Sequence, residues 1–248
     1  WIDCRNGNWD IYGYNLATEE EFAICTDPAN QTSPAVSGDI VVWRDERNDY
    51  TEGGFAYNNI DIYGYNLSTQ TEFPVCTAPG NQITPAISGD IVVWTDARAN
   101  SFSRDIYGYN LSTATEFLIC TNPDYQERPS ISGDIVVWGD WRNAGVYGYY
   151  LSTGTEFPIV GNASSHPYPA ISGDIVVWLD PRLGYTTAWE GYELHNIYGY
   201  NLATEEEFAI CTNPDGQVVP AISGDIVVWS DSRNGNSDIY GARLSFEE

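Results

Sequence analysis

The chain has 248 residues, a net charge of −25 and ten basic residues, all of them Arg; Met is absent. So acidic a chain offers no basic footprint for phosphate, which excludes nucleic acid as a partner, and no apolar run is long enough for a membrane-spanning helix. Aromatics make up 14% of residues and no apolar residue recurs at helical period, so an all-β chain with a large core is expected.

Taken in chain order, the elements repeat. The segment from Trp1 runs into Arg5-Asn-Gly7, a hairpin signal because Asn-Gly accepts positive φ. Asp10-Ile-Tyr-Gly-Tyr-Asn-Leu16 alternates and is rich in aromatic residues, which predicts a strand, and Glu21-Phe-Ala-Ile-Cys25 predicts the next. Pro34-Ala-Val-Ser37 opens a third strand, Ser-Gly-Asp makes a tight turn, and Ile40-Val-Val-Trp43 reads as a strand buried on both faces. The Ser-Gly-Asp-Ile-Val-Val-Trp core then returns at 88–94, 132–138, 172–178 and 223–229. The Tyr-Gly segment occurs six times, starting at Ile11, Ile62, Ile106, Val146, Ile197 and Ile239.

Each unit therefore carries strands A (PAIS), B (DIVVW-x-D), C (DIYGYNL) and D (EFAICT), the signature of a propeller blade. The expected fold is an all-β propeller of four-stranded blades spanning 1–248 as a single domain. Six C segments against five A and five D segments favour six blade positions, the first and last incomplete, over five. Because Trp1 falls inside a repeat, the chain is expected to be a processed product or a fragment.

The spacing separates what is fixed from what is free. From the Pro of A to the Trp of B is nine residues in five copies, and from that Trp to the Arg is four in six copies. From the first residue of C to the Glu of D is eleven, and from that Glu to the next Pro is thirteen, in five copies each. Only the B–C interval varies, holding four, thirteen, six, two, thirteen and four residues in turn. In a propeller the A–B and C–D turns share one end of the blades and the B–C and D–A loops share the other. Variation confined to one loop type marks that end as the expected binding face.

These residues, PAISGDIVVWRDERN…DIYGYNLATEEEF in composite, resemble the TolB-like propeller repeat, and more closely the repeat of archaeal cell-surface proteins of the methanogen kind. The resemblance covers essentially the whole chain and implies an exported, surface-associated propeller. It implies no chemistry, because propellers host many functions.

Six Asp-x-Arg pairs recur: Asp3/Arg5, Asp45/Arg47, Asp96/Arg98, Asp140/Arg142, Asp180/Arg182 and Asp231/Arg233. Such a ring of Asp could hold Ca²⁺ or serve acid–base chemistry. Six equal copies instead suit a structural ion pair, since an active site needs one asymmetric constellation. No catalytic residue, cofactor or motif-backed metal site is therefore expected. Gln31, Gln82, Gln126 and Gln217 share a slot before strand A, as a rim for a channel or as caps of the D–A loop; His166 replaces them once, near Tyr168.

The long B–C loops carry Asp49, Tyr50, Glu52, Phe55 and Tyr57, and Tyr185, Trp189, Glu190, Tyr192 and His195; shorter loops add Phe102 and Trp141. Aromatics with carboxylates suit sugar stacking or a protein interface. The expected role is non-catalytic binding or surface assembly with a glycan or protein partner, self-assembly included, at an extracellular or cell-surface location. A glycoside-active enzyme and a cation-binding module are the alternatives. Four N-glycosylation sequons, at Asn30, Asn66, Asn110 and Asn162, fit export, with Asn66 and Asn110 beside exposed turns. Cys25, Cys76, Cys120 and Cys211 occupy one repeat position that Val160 also fills, so a small apolar core slot is expected there and Cys4 stands apart.

Overall fold

A computed structural model describes every residue except 53–54, 101–102, 162–166, 184–193 and 246–248, and, within strands, the side chains of 51–52, 55–57 and 100. The described residues form strands and turns and contain no helix. They make six propeller blades of antiparallel strands, in two compact units, Trp1–Glu127 and Arg128–Glu248.

In the first unit, blade I is β1 (Ile2–Asp3), β2 (Asp10–Asn15) and β3 (Glu20–Cys25). Blade II pairs β4 (Gln31–Ser37), β5 (Ile40–Asp45), β8 (Asp61–Asn66) and β9 (Thr71–Cys76), in that order. Between β5 and β8 the loop makes its own hairpin, β6 (Tyr50–Glu52) with β7 (Phe55–Tyr57). Blade III is β10 (Gln82–Ser88), β11 (Ile91–Asn100), β12 (Ser103–Asn110) and β13 (Thr115–Cys120).

In the second unit, blade IV is β14 (Gln126–Ser132), β15 (Ile135–Asp140), β16 (Gly145–Tyr150) and β17 (Thr155–Val160). Blade V is β18 (Ala170–Ser172), β19 (Ile175–Asp180), β20 (Asn196–Asn201) and β21 (Glu206–Cys211). Blade VI is β22 (Gln217–Ser223), β23 (Ile226–Asp231) and β24 (Asp238–Arg243). Among the described residues blade I shows no A strand and blade VI no D strand, in keeping with six blade positions. The B and C strands fall on the repeats. Most A strands begin three residues earlier than the Pro, because the Gln slot pairs with the Asp ending strand B (Gln31 with Asp45, Gln82 with Asp96, Gln217 with Asp231).

The period of two in strand B has a direct packing consequence. Val42 and Ile62 of blade II face Val92, Trp94 and Ile87 of blade III, with Ala35 and Ile40 added at the border. Val177 and Ile197 of blade V meet Val227 and Trp229 of blade VI in the same way. The third residue of Ile-Val-Val-Trp serves one neighbour, and the second and fourth serve the other. This is why the run is apolar throughout. Burying each Val completely stabilises the chain by about 1.5–3 kcal/mol relative to leaving it in water.

Two local devices recur. The Gly between the Tyr residues of strand C lies directly opposite the Phe of strand D (Gly64 with Phe73), and the ring covers it so closely that a Cβ at Gly64 would sit 2.7 Å from the ring. In the Ser-Gly-Asp turn Gly38 has φ +55°, a conformation that Gly adopts without strain. The turn then reaches across to the previous blade: the Gly89 N–H donates to Ser37 Oγ at 3.0 Å.

Candidate binding surface

The Asp-x-Arg pairs sit where strand B ends, and each is the centre of a larger cluster. In blade II the carboxylate of Asp45, fully buried, accepts the Trp43 indole N–H at 2.8 Å and the Arg47 backbone N–H at 2.9 Å. The Arg47 guanidinium grips the same carboxylate through Nε at 2.9 Å and a terminal nitrogen at 2.7 Å. Its other terminal nitrogen donates to Glu72 of strand D at 2.6 Å, and its plane lies 4.0 Å above the Tyr63 ring of strand C. One side chain therefore ties strands B, C and D together. It also reaches Cys25 Sγ of the preceding blade at 3.4 Å. Hydrogen bonding to Asp45 raises the Arg47 pKa further above its ordinary value.

The same cluster is built by Trp94, Asp96, Arg98, Tyr107 and Glu116 and by Trp138, Asp140, Arg142, Tyr147 and Glu156. Trp178, Asp180, Arg182, Tyr198 and Glu207 form a fourth copy. The ends vary it. Arg5 pairs with Asp3 and Glu21 at an exposed site, and Arg233 holds Asp231 and Tyr240 in a blade that shows no D strand among the described residues. Hydrogen bonds from these arginines hold Asp3 and Asp231 at a pKa of about 2. The sequence showed the Asp and Arg. The Trp, Tyr and Glu partners were missed, although the fixed four- and eleven-residue intervals were the signal that could have found them.

Next to each cluster, the strand C residue paired with the Asp of strand B is itself a carboxylate in four of the blades. Asp61 lies directly across from Asp45, and Asp105 from Asp96. Burial pushes the pKa of both Asp61 and Asp105 up; Asn48 holds Asp61 at 2.5 Å. Blade V replaces this carboxylate with Asn196 and blade IV with Gly145. The Gln slot is fully buried, and its amide N–H groups donate to D–A loop carbonyls: Gln31 to Ala29 at 2.9 Å, Gln126 to Asp124 at 3.3 Å and Gln217 to Asn213 at 3.0 Å. Among the described residues no group of three His, Cys, Asp or Glu is placed to hold a metal ion.

Within each blade, the residues that break the repeat lie at the end where the A strand begins and the B–C loop leaves. Tyr50, half exposed, pairs across β6–β7 with Tyr57, and Glu52 with Phe55. Trp141 stands 38% exposed on the shortest loop. Arg104 donates to the buried Glu127 at 2.9 Å and lies 5.2 Å from the Tyr125 ring centre. This Glu is a carboxylate within an A strand, where the Pro-to-Ser core of the repeat has none. Arg128 lies 3.7 Å over the Tyr168 ring, and both residues hold positive φ, +56° and +46°. His195 lines a cavity of about 170 Å³ with Asp215, Gln217, Ser230, Ser232 and Ser237. Phe102, His166, Tyr185, Trp189, Glu190 and Tyr192 lie outside the described residues.

The sequon at Asn162 also lies outside them. Asn66 and Asn110 are half-buried, not openly exposed, because their side-chain carbonyls cap the C–D turns: Asn66 accepts the N–H groups of Ser68 and Thr69 at 2.9 and 3.0 Å, and Asn110 that of Thr113 at 3.1 Å. Asn30 donates to Glu46 at 2.9 Å. Cys25, Cys76 and Cys120 are buried thiols, Cys211 is half-buried, and Cys4 is exposed. Burial pushes the Cys25 and Cys76 thiols up to about 12.

No protein-family model and no curated protein matches the chain. Solved structures do. TolB from Acinetobacter baumannii is similar over 89% of this chain and 53% of its own, with 17% identity and a TM-score of 0.63. The putative TolB from Agrobacterium tumefaciens is similar over 95% of this chain and 84% of its own, with 17% identity and a TM-score of 0.64. An oligogalacturonate lyase in complex with manganese is similar over 95% and 72%, with 13% identity and a TM-score of 0.62. The chain spans about half the length of the Acinetobacter TolB chain. At these identities the likeness establishes a TolB-like propeller fold and leaves the activity to the residues themselves. No helix among the described residues is long and apolar enough to cross a membrane.

Proposed function

We propose that this chain is a non-catalytic binding or assembly propeller of the extracellular or cell surface, of the archaeal surface-protein kind, and that it meets a glycan or protein partner through the end of its blades bearing the B–C loops. One observation carries this reading. The recurrent charged groups are engaged in holding blades together, each Arg bonded to its own Asp and, where strand D exists, to its Glu. The aromatic and ionic side chains that depart from the repeat, Tyr50, Trp141 and the Arg128–Tyr168 stack among them, stand within their own blades at the end where strand A begins and strand B finishes. Large aromatic surfaces beside carboxylates suit sugar faces and protein interfaces.

The test is to replace residues 49–57 and 185–195 by Asn-Gly turns, alone and together, and to measure melting, oligomeric state and binding to a glycan array. The reading expects a retained melting transition with lost association or glycan binding. Retained association after both truncations would overturn it. Turnover of an oligosaccharide, or a calcium-dependent rise in melting temperature abolished with the loops, would move the assignment to one of the two alternatives.

A further inference from the structure

Three described Asn residues begin an Asn-x-Ser/Thr sequence, Asn30, Asn66 and Asn110, and the fold treats them in two ways. Asn30 is locked into the junction of blades I and II. Its side-chain carbonyl accepts the Trp9 N–H at 3.1 Å, its Nδ2 donates to Glu46 at 2.9 Å, and its backbone carbonyl accepts the Glu46 N–H at 3.0 Å. The next residue, Gln31, is fully buried. Asn66 and Asn110 end strand C, at the opposite end of their blades from the B–C loops. Their Oδ1 atoms accept turn N–H groups. Among the described residues the Nδ2 of each makes no hydrogen bond, and neither Nδ2 is sealed from solvent.

Capping the turn does not by itself call for the Ser. Asn15 caps the same turn of blade I through the N–H groups of Ala17 and Thr18, and Asn201 that of blade V through Ala203 and Thr204, with no hydroxyl two residues on. Ser68, in turn, donates to Asp39 of the A–B turn; Ser152 donates to Asp134 in blade IV, where Tyr150 takes the Asn slot. Asn and Ser thus serve the turn separately, and at this slot only blades II and III carry both. Asn66 also helps to line a groove of about 330 Å³ between blades II and III, with Phe73 and Pro74 of strand D and Tyr109 and Leu111 of the next blade.

We propose that Asn66 and Asn110 are N-glycan acceptors, that Asn30 is not, and that the first sugar on Asn66 lies in this groove with its apolar face toward Tyr109. In the transfer, Nδ2 bonds to the anomeric carbon of an oligosaccharide carried on a lipid diphosphate. The bond from that carbon to the phosphate oxygen breaks, the lipid diphosphate leaves and Nδ2 gives up one proton. Donor and transferase are those of the exporting cell. Oδ1 stays on the turn N–H groups, so the modification leaves the cap in place. At Asn30 the same bond would displace Glu46 and drive a sugar into the junction, so a chain modified there before folding would not close it. A ring beside the apolar face of a sugar both buries that face and orients it. This assignment rests on the extracellular location proposed above. It puts the glycans of both blades at the C–D turns and leaves the B–C loops bare.

The experiment secretes the full chain from a eukaryotic host that supplies a lipid-linked oligosaccharide, and maps occupancy site by site by glycopeptide mass spectrometry. Asn66 and Asn110 should carry glycan and Asn30 none. Ala17→Ser, which completes the acceptor sequence at the capping Asn15, should gain glycan there. In the Asn110→Gln, Asn162→Gln double variant, glycosylated protein should melt higher than the same protein stripped by a peptide-N-glycosidase, and adding Tyr109→Ala should erase the difference. Glycan on Asn30 in folded protein, bare Asn66 and Asn110, or no gain at Asn15 would overturn the acceptor assignment. Unchanged melting on stripping, or a difference that survives Tyr109→Ala, would overturn the seat in the groove. Because the host sets the location in this experiment, such failures leave the loop-end binding standing, which the truncations above test.

Discussion

The interior blades and the terminal blades use nearly the same sequence in different surroundings. Ile62, Ile106 and Ile197 occupy one slot of strand C and are fully buried; Ile239 occupies the same slot of blade VI and is 77% exposed. Val42, Val93, Val137 and Val177 are fully buried, while Val228 is 38% exposed. A blade cannot bury its own faces, so the residue type sets only the capacity for burial and the neighbour decides whether it is realised.

Substitution at equivalent sites should expose this difference. The largest effect is expected for Trp94→Ala, which removes a fully buried indole and leaves Asp96 without one of its donors. A loss of about 3–5 kcal/mol is expected by chemical denaturation. The equivalent Trp1→Ala, at an indole 45% exposed, should cost about 1 kcal/mol or less. Equal losses would break the contrast between interior and end.

Second in size is Arg98→Ala. It leaves the buried Asp96 with only the Trp94 indole and a backbone N–H, for a loss of about 1–3 kcal/mol. The exposed Arg5 cluster should lose far less on Arg5→Ala, and what it loses should vanish in high salt. Salt-independent loss at Arg5 would show that the terminal cluster is as buried in solution as the interior ones.

A smaller effect concerns pH. Burial raises the pKa of Asp61 above its ordinary 3.8, so the folded state holds this proton more tightly than the unfolded chain does. Its contribution is therefore most favourable at acid pH and turns destabilising as pH rises through 3.8 toward the raised value. Asp61→Asn, copying Asn196 of blade V, should be at least as stable as the parent at neutral pH, and the two should converge as pH falls. A variant clearly weaker at neutral pH would show that Asp61 acts as a paired anion.

The smallest perturbation is chemical. At mildly alkaline pH a maleimide should label the exposed Cys4 at once, while Cys25 and Cys76, whose thiols burial pushes up to about 12, should wait for unfolding. Prompt labelling of Cys76 would mean that the interface between blades II and III opens on its own.

Much of the fold was legible because repetition acts as an internal comparison. Ile-Val-Val-Trp announced a strand buried on both faces, and the invariant intervals placed strands B and C. The clusters were only half legible. Asp and Arg two residues apart are visible in a line of text, but Glu72 lies 25 residues from Arg47, and only the fold brings them together. The Gln slot was legible as a position and not as a strand, since its pairing with Asp45 depends on a register shift after Thr32. The loop-end residues were named by composition, which identifies aromatic side chains and does not reveal pairings such as Arg128 over Tyr168.

The division of labour between repeated clusters and repeat-breaking residues is tested most directly by one paired measurement. Arg98→Ala and Trp141→Ala are compared for melting temperature and, on the same samples, for glycan-array binding and self-association by sedimentation. The account predicts that Arg98→Ala melts earlier and binds as the parent does, whereas Trp141→Ala melts as the parent does and loses association or binding. Loss of binding in Arg98→Ala at temperatures where it remains folded, with binding intact in Trp141→Ala, would contradict it.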